Sequence, residues 1–210
     1  MMAMTAKWNR AYELSLDFVN TVDWRNGQNR RDRIESFPHL VSWSVKKGIV
    51  PNEEAPSLLK AAREEHAEDG AFRRAIQLRE TIYRIFSAVA HDEHPEDADV
   101  RALNKFLSDY PASSAVVRNG DGYGWKWVPG RGAEGMILWS IAKSAADLLT
   151  SDQLGRVTEC ANEEEGCGWV FLDKTRSRTR RWCSMDGCGN RAKARTWYEK
   201  HEKAHGPDKS

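Results

Sequence analysis

Four cysteines, Cys160, Cys167, Cys183 and Cys188, are the only cysteines of a 210-residue chain and fall within about thirty residues of one another. The first pair reads C-x6-C and the second C-x4-C, with fifteen residues between the inner two. That spacing suits two thiolate knuckles closing on one tetrahedral ion, so the leading expectation is a structural Zn2+, one per chain, with no open coordination position. Gly166, Gly168, Gly187 and Gly189 flank the thiols, where glycine lets a backbone turn tightly around an ion. A rival set, Cys183-x4-Cys188-x12-His201-x3-His205, has the spacing of a two-cysteine, two-histidine finger. Its intervening residues lack the apolar register of that finger's helix, and Cys160 and Cys167 would be left without a role. Disulfides are the other alternative. Met1 to Arg10 has no apolar core of signal-peptide length and no later segment is apolar enough to span a bilayer, so a cytoplasmic, reducing setting is expected, where thiols serve as ligands more often than as bridges.

A second constellation is electrostatic. Between Lys174 and Arg195 eight basic residues face only Asp186, a net of +7, while Glu159 and Glu163 to Glu165 lie just before them. Arg176, Arg178 and Arg180 alternate with Thr175, Ser177 and Thr179. In an extended segment that alternation lines the arginines along one face. Arg176, Arg178, Arg180 and Arg181, with Arg191, Lys193 and Arg195 from a following helix, are therefore the candidate nucleic-acid contacts, because the guanidinium fork grips phosphate and reads guanine edges. Pairing with the Glu163 to Glu165 run is the competing use of the same charges.

A third group is polar within apolar surroundings. Asp17, Asn20 and Thr21 stand at i, i+3 and i+4 among Leu14, Leu16, Phe18, Val19 and Val22, a spacing that gathers them on one side of a helix. They form either the polar corner of a small-ligand pocket or a set of buried hydrogen bonds. Arg79 interrupts the apolar stripe of the longest helical pattern, 71–91. It is expected to pair with Asp17 or an acidic ligand, or to reach solvent, since a buried unpaired charge is costly.

The stretch from Trp182 to Arg191, with Gly189-Asn190-Arg191 directly after the last cysteine, resembles the signature of the CGNR zinc-finger proteins. Leu14-Ser15-Leu16-Asp17-Phe18-Val19-Asn20-Thr21 resembles the opening motif of the ABATE domain that the same family carries at its N-terminal end. The resemblance implies a four-cysteine zinc module and a role in transcriptional regulation.

The elements that must position these groups follow from periodicity. Helices are expected over about 40–47, 52–68, 71–91, 96–110 and 133–150. A β-hairpin is expected from Ala115–Arg118 and Tyr123–Val128 around Asn119-Gly120-Asp121-Gly122, with Trp125 and Trp127 on one face. The fold class is thus a mainly α N-terminal domain with a β-hairpin, plus a small C-terminal zinc module of knuckle, short β-hairpin (Gly168–Leu172 with Thr179–Trp182), knuckle and helix. Expected boundaries are 1–155, 156–205 and a disordered tail at 206–210. Net charge of +1 over 210 residues and mean hydropathy of −0.70 give a polar chain with no overall bias toward either sign of partner.

The leading functional expectation is a regulator that binds duplex DNA through the zinc module and takes a small-molecule effector in the N-terminal domain. An RNA- or protein-binding module with architectural zinc is the alternative. An enzyme is the other, but no nucleophile elbow, phosphate-binding glycine loop or helical histidine pair occurs, so no catalytic activity is expected.

Overall fold

A computed structural model describes residues 4–109, 114–119, 122–127 and 134–204. The element order is α1 (Met4–Val19), β1 (Val22–Asp23), β2 (Arg31–Asp32), α2 (Phe37–Lys46), α3 (Ala55–Glu64), α4 (Glu68–Ala90), α5 (Asp97–Asp109), β3 (Ser114–Asn119), β4 (Gly122–Trp127), α6 (Gly135–Leu149), β5 (Val157–Glu159), β6 (Val170–Leu172) and α7 (Asn190–Ala204). The mainly helical class with a hairpin of two six-residue strands, β3–β4, is as the periodicity predicts. The turn of that hairpin, the side chains of Trp125 and Trp127, His205 and the 206–210 tail lie outside the described residues.

α4 is the axis of the helical part. Ala71, Ala75, Leu78, Ile82, Ile85 and Phe86 recur at three- and four-residue spacing and are buried against α1, α2, α5 and α6. Each fully buried large apolar side chain contributes about 1.5–3 kcal/mol of transfer free energy, which makes this stripe the main source of cohesion. α2 starts where its sequence says it should. Ser36 caps it by accepting from the His39 N–H, Pro38 occupies the first turn, and Gly48 ends the segment at φ +71°, a left-handed geometry that glycine adopts at little cost.

Two expectations are corrected. β6 pairs antiparallel with β5, Val157 opposite Leu172 and Glu159 opposite Val170, not with Thr179–Trp182. The hairpin therefore brackets the first knuckle and carries Cys160 and Cys167 in the loop that joins its two strands. Its apolar residues Val157, Val170 and Leu172 join the same buried cluster as α1, α4 and α6, so the hairpin of the zinc module is part of the main core. Arg79 is 1% exposed and pairs not with Asp17 but with Asp32, through Nη1–Oδ1 at 2.8 Å and Nη2–Oδ2 at 2.5 Å. Thr21 Oγ1 accepts a third bond from Arg79 at 3.0 Å. This satisfies most of a buried guanidinium, as its desolvation demands. Asp17 instead binds Lys47 at the surface, 2.5 Å away.

Candidate metal centre and nucleic-acid interface

The first knuckle folds around Gly166 and Gly168, at φ +68° and +65°. The second begins at Ser184, whose hydroxyl accepts from Gly187 N at 2.9 Å and starts a wide helical turn, Met185–Gly189, that carries Cys188 into the base of α7. The four sulfurs all lie within 4.8 Å of one another. Cys167–Cys183 and Cys183–Cys188 are separated by 3.8 Å and 3.6 Å. Four sulfurs about 2.3 Å from a tetrahedral ion sit about 3.8 Å apart, so the cage has the size of a zinc site. Cys160, Cys167 and Cys188 are buried and Cys183 is half-buried.

The electrostatics of the thiols make the same point. Hydrogen bonds from Cys167 and then Cys183 pull the Cys160 thiol down to about 2. Cys160 in turn pushes Cys183 up to about 12 and Cys167 also upward. Thiols this close carry a single negative charge readily; four thiolates together require a divalent cation. The residues fit one Zn2+ held by Cys160, Cys167, Cys183 and Cys188, whose role is to cross-link two loops. His201 stands apart from this cluster, exposed, its Nδ1 2.9 Å from the Trp197 carbonyl and its ring stacked on Trp197. The two-cysteine, two-histidine set is thereby displaced by the four-cysteine one.

The first knuckle is docked on the helical domain through backbone. Arg25 N–H donates to Cys167 O at 3.2 Å and Asn26 N–H to Gly166 O at 3.0 Å. Trp169 Nε1 donates to Val22 O at 3.1 Å. Glu159 accepts from Tyr83 and Ser87 of α4 at 3.3 and 2.7 Å.

The basic residues divide into two groups. Arg191 pairs with Glu165 and stacks over the Trp24 ring, 4.5 Å away, and Arg195 pairs with Glu164 and Glu165. Arg180 donates to the carbonyls of Trp182 and Cys183 and lies over Phe171. Among the described residues Arg176, Arg178, Arg181 and Lys193 are exposed and meet no carboxylate within ion-pair distance. They do not form an extended row, because Arg178 adopts φ +53° and breaks the alternation. The organiser of this loop is a residue the sequence reading passed over, Asp173. It is buried, and it accepts from Thr175 N, Thr175 Oγ1 and Arg180 N at 2.8, 2.6 and 2.8 Å. Burial alone raises the Asp173 carboxyl, but the bond from the Thr175 hydroxyl and those from the backbone of Arg180 and Thr175 hold it below the usual range. The sequence signal was an aspartate two residues before a threonine, the spacing of an Asx turn.

Of the candidate ligand residues, Asp17, Asn20 and Thr21 border one surface cavity of about 500 Å3 that Trp169 closes from the zinc side. Arg79 does not line it. Thr21 Oγ1 also donates to Phe18 O at 2.7 Å, and both ends of the Asn20 amide are bound to Val170.

Fold and site together define a helical domain fused through a shared core to a four-thiolate zinc module. Residues 13–152 match the ABATE family model, described as "Putative stress-induced transcription regulator", and residues 156–201 match the CGNR zinc finger. The chain belongs to the ABATE family and carries its zinc finger in the order the two motifs imply. No curated protein matches it. Among the described residues no helix is long and apolar enough to cross a membrane.

Proposed function

We propose that this protein is a cytoplasmic transcription regulator that binds duplex DNA through its zinc module, acts by binding and not by turnover, and senses a small ligand with its helical domain. The observation that carries the reading is the loop 174–181, where Arg176, Arg178 and Arg181 are exposed with no acidic partner among the described residues. Unpaired arginines repel one another, and clustering them on a loop braced by Asp173 and anchored at Cys183 is favourable when a polyanion lies against them. Lys193, exposed on α7, is a further cation that meets no carboxylate among the described residues. In this reading Arg180, Arg191 and Arg195 hold the frame, because their guanidinium groups are already committed to carbonyls and glutamates. Membership of a family described as regulatory supports the same reading.

The test is fluorescence anisotropy of a labelled duplex of mixed sequence at low salt, with an RNA hairpin of equal length as the comparison. Duplex DNA should bind with a Kd of about 10−4 M or tighter, the range of non-specific electrostatic association. Preference for the RNA would replace this reading with the RNA-binding alternative.

A further inference from the structure

The cavity at the seam between α2 and the zinc module has a feature that its polar floor does not explain. The side chains of Asn20 and Thr21 are already engaged in internal hydrogen bonds to Val170, Phe18 and Arg79. The groups left available come from α2 itself. His39, Ser42 and Lys46 stand at i, i+3 and i+7, one face of the helix, with Trp43 beside Ser42, and all four line the cavity. Among the described residues neither the Ser42 hydroxyl nor the Lys46 ammonium has a hydrogen-bond or ion-pair partner. Beside them Arg33 lies over the Trp169 ring at 5.3 Å, pairs with Asp23 at 3.3 Å and donates to the Asn20 carbonyl, so its guanidinium is already committed. Arg33, Lys46 and Lys47 face Asp17 as the one carboxylate of the lining, and Lys47 already holds it.

We infer that this seam cavity binds a small planar organic anion, an aromatic carboxylate. The carboxylate meets Lys46, with the Ser42 hydroxyl as a second donor; the ring lies between the indoles of Trp43 and Trp169. A volume of about 500 Å3 is of the size that takes a two-ring ligand. Two indoles supply flat apolar walls, and an excess of cations selects against neutral and cationic molecules. The inference rests on the sensing role proposed for the helical domain and gives it a place and a chemistry. Because the ligand touches α2 on one side and Trp169 on the other, it binds the docked arrangement of the two parts and stabilises it by mass action.

The experiment is isothermal titration calorimetry of the full-length, zinc-loaded protein with 2-naphthoate, and with 2-naphthamide as the uncharged isostere. Naphthoate should bind with a Kd of about 1 mM or tighter, as expected of a ligand of this size. The amide should bind about fivefold more weakly, the loss of a charge contact at a partly exposed site. Lys46→Ala should abolish the difference between the two probes. Lys46 is exposed, so the variant should keep its zinc and its melting temperature; Ser42→Ala is the second variant and should weaken both probes, naphthoate the more because its acceptor is charged. No heat with naphthoate, equal affinity for the amide, or a Lys46→Ala protein that still distinguishes them would overturn the inference. DNA anisotropy on the same samples separates the readings. Naphthoate binding that leaves DNA affinity unchanged removes the sensing role but keeps the site, and a ligand-free protein that fails to bind DNA yet binds naphthoate removes the DNA-binding reading alone.

Discussion

The side-chain amide of Asn20 grips the backbone of Val170 at both ends, donating to its carbonyl at 2.7 Å and accepting from its N–H at 3.0 Å. The two residues are 150 positions apart. Asn20 thus serves β6 as a neighbouring strand would, and it ties the end of α1 to the zinc module. Replacement by Ala strips both partners from a buried peptide group, at about 1–3 kcal/mol for each orphaned group. Asn20→Ala should therefore lose about 2–4 kcal/mol in urea unfolding followed by tryptophan fluorescence. Asn20→Asp should be no better, because a carboxylate cannot donate to Val170 O.

Gly166 and Gly27 approach through their backbones where the first knuckle meets the loop after β1. A Cβ on Gly166 would collide with Gly27 N and the Asn26 carbonyl carbon, and its φ of +68° is itself unfavourable for an L-residue. Gly166→Ala should undock the knuckle and weaken zinc retention in a chelator competition, whereas Gly155→Ala, with open space around its Cβ position, should leave it unchanged.

Asp32 answers Arg79 across the core. Burial raises the Asp32 carboxyl, yet the hydrogen bonds from Arg79 and Ile34 and the charge of Arg79 outweigh it and leave the group below its ordinary value. A carboxylate depressed in the folded state contributes stability above its unfolded pKa, about 3.9, and loses it as pH falls through the folded value. The melting temperature should drop on acidification below about pH 4. Asp32→Asn should remove that component of the acid sensitivity and should cost about 3 kcal/mol at neutral pH, because buried Arg79 then keeps only Glu80, 3.3 Å from its Nε, as a counter-charge.

Zinc should be present at one per chain, and its loss should reach beyond the finger. Val157, Val170 and Leu172, the apolar residues of the hairpin that brackets the first knuckle, sit in the helical core. Cys183→Ser should release zinc and lower the unfolding temperature of the whole chain in a single transition seen by calorimetry. Two separate transitions would mean that the knuckles and helices are thermodynamically independent.

Much of this was legible from sequence where the signal is local. The thiol spacing identified the ligands, and the stripe from Ala71 to Phe86 identified the central helix. The strand pairing and the partner of Arg79 were missed for one cause, which is distance along the chain. Val157-Thr158-Glu159 pairs with β6 across the whole first knuckle, and a three-residue strand before a cysteine reads as linker. Arg79 chose Asp32 out of a polar loop 47 residues away, while Asp17 drew attention by its helical spacing with Asn20 and Thr21 in an apolar segment. The arginine row failed locally. Asp173 bends the loop with its own side chain, and alternation of residue types does not reveal a positive φ at Arg178.

If the exposed arginines of the 174–181 loop hold DNA, as proposed, the salt dependence of binding reports it. In the parent protein log Kd against log salt concentration should be linear, with a slope set by the phosphates neutralised, about 0.9 for each. Arg176→Ala, Arg178→Ala and Arg181→Ala combined should flatten that slope by up to about 2.7 with zinc content unchanged. A triple variant that binds DNA with the parent slope, or a parent protein that does not bind mixed-sequence duplex even at low salt, would contradict the account.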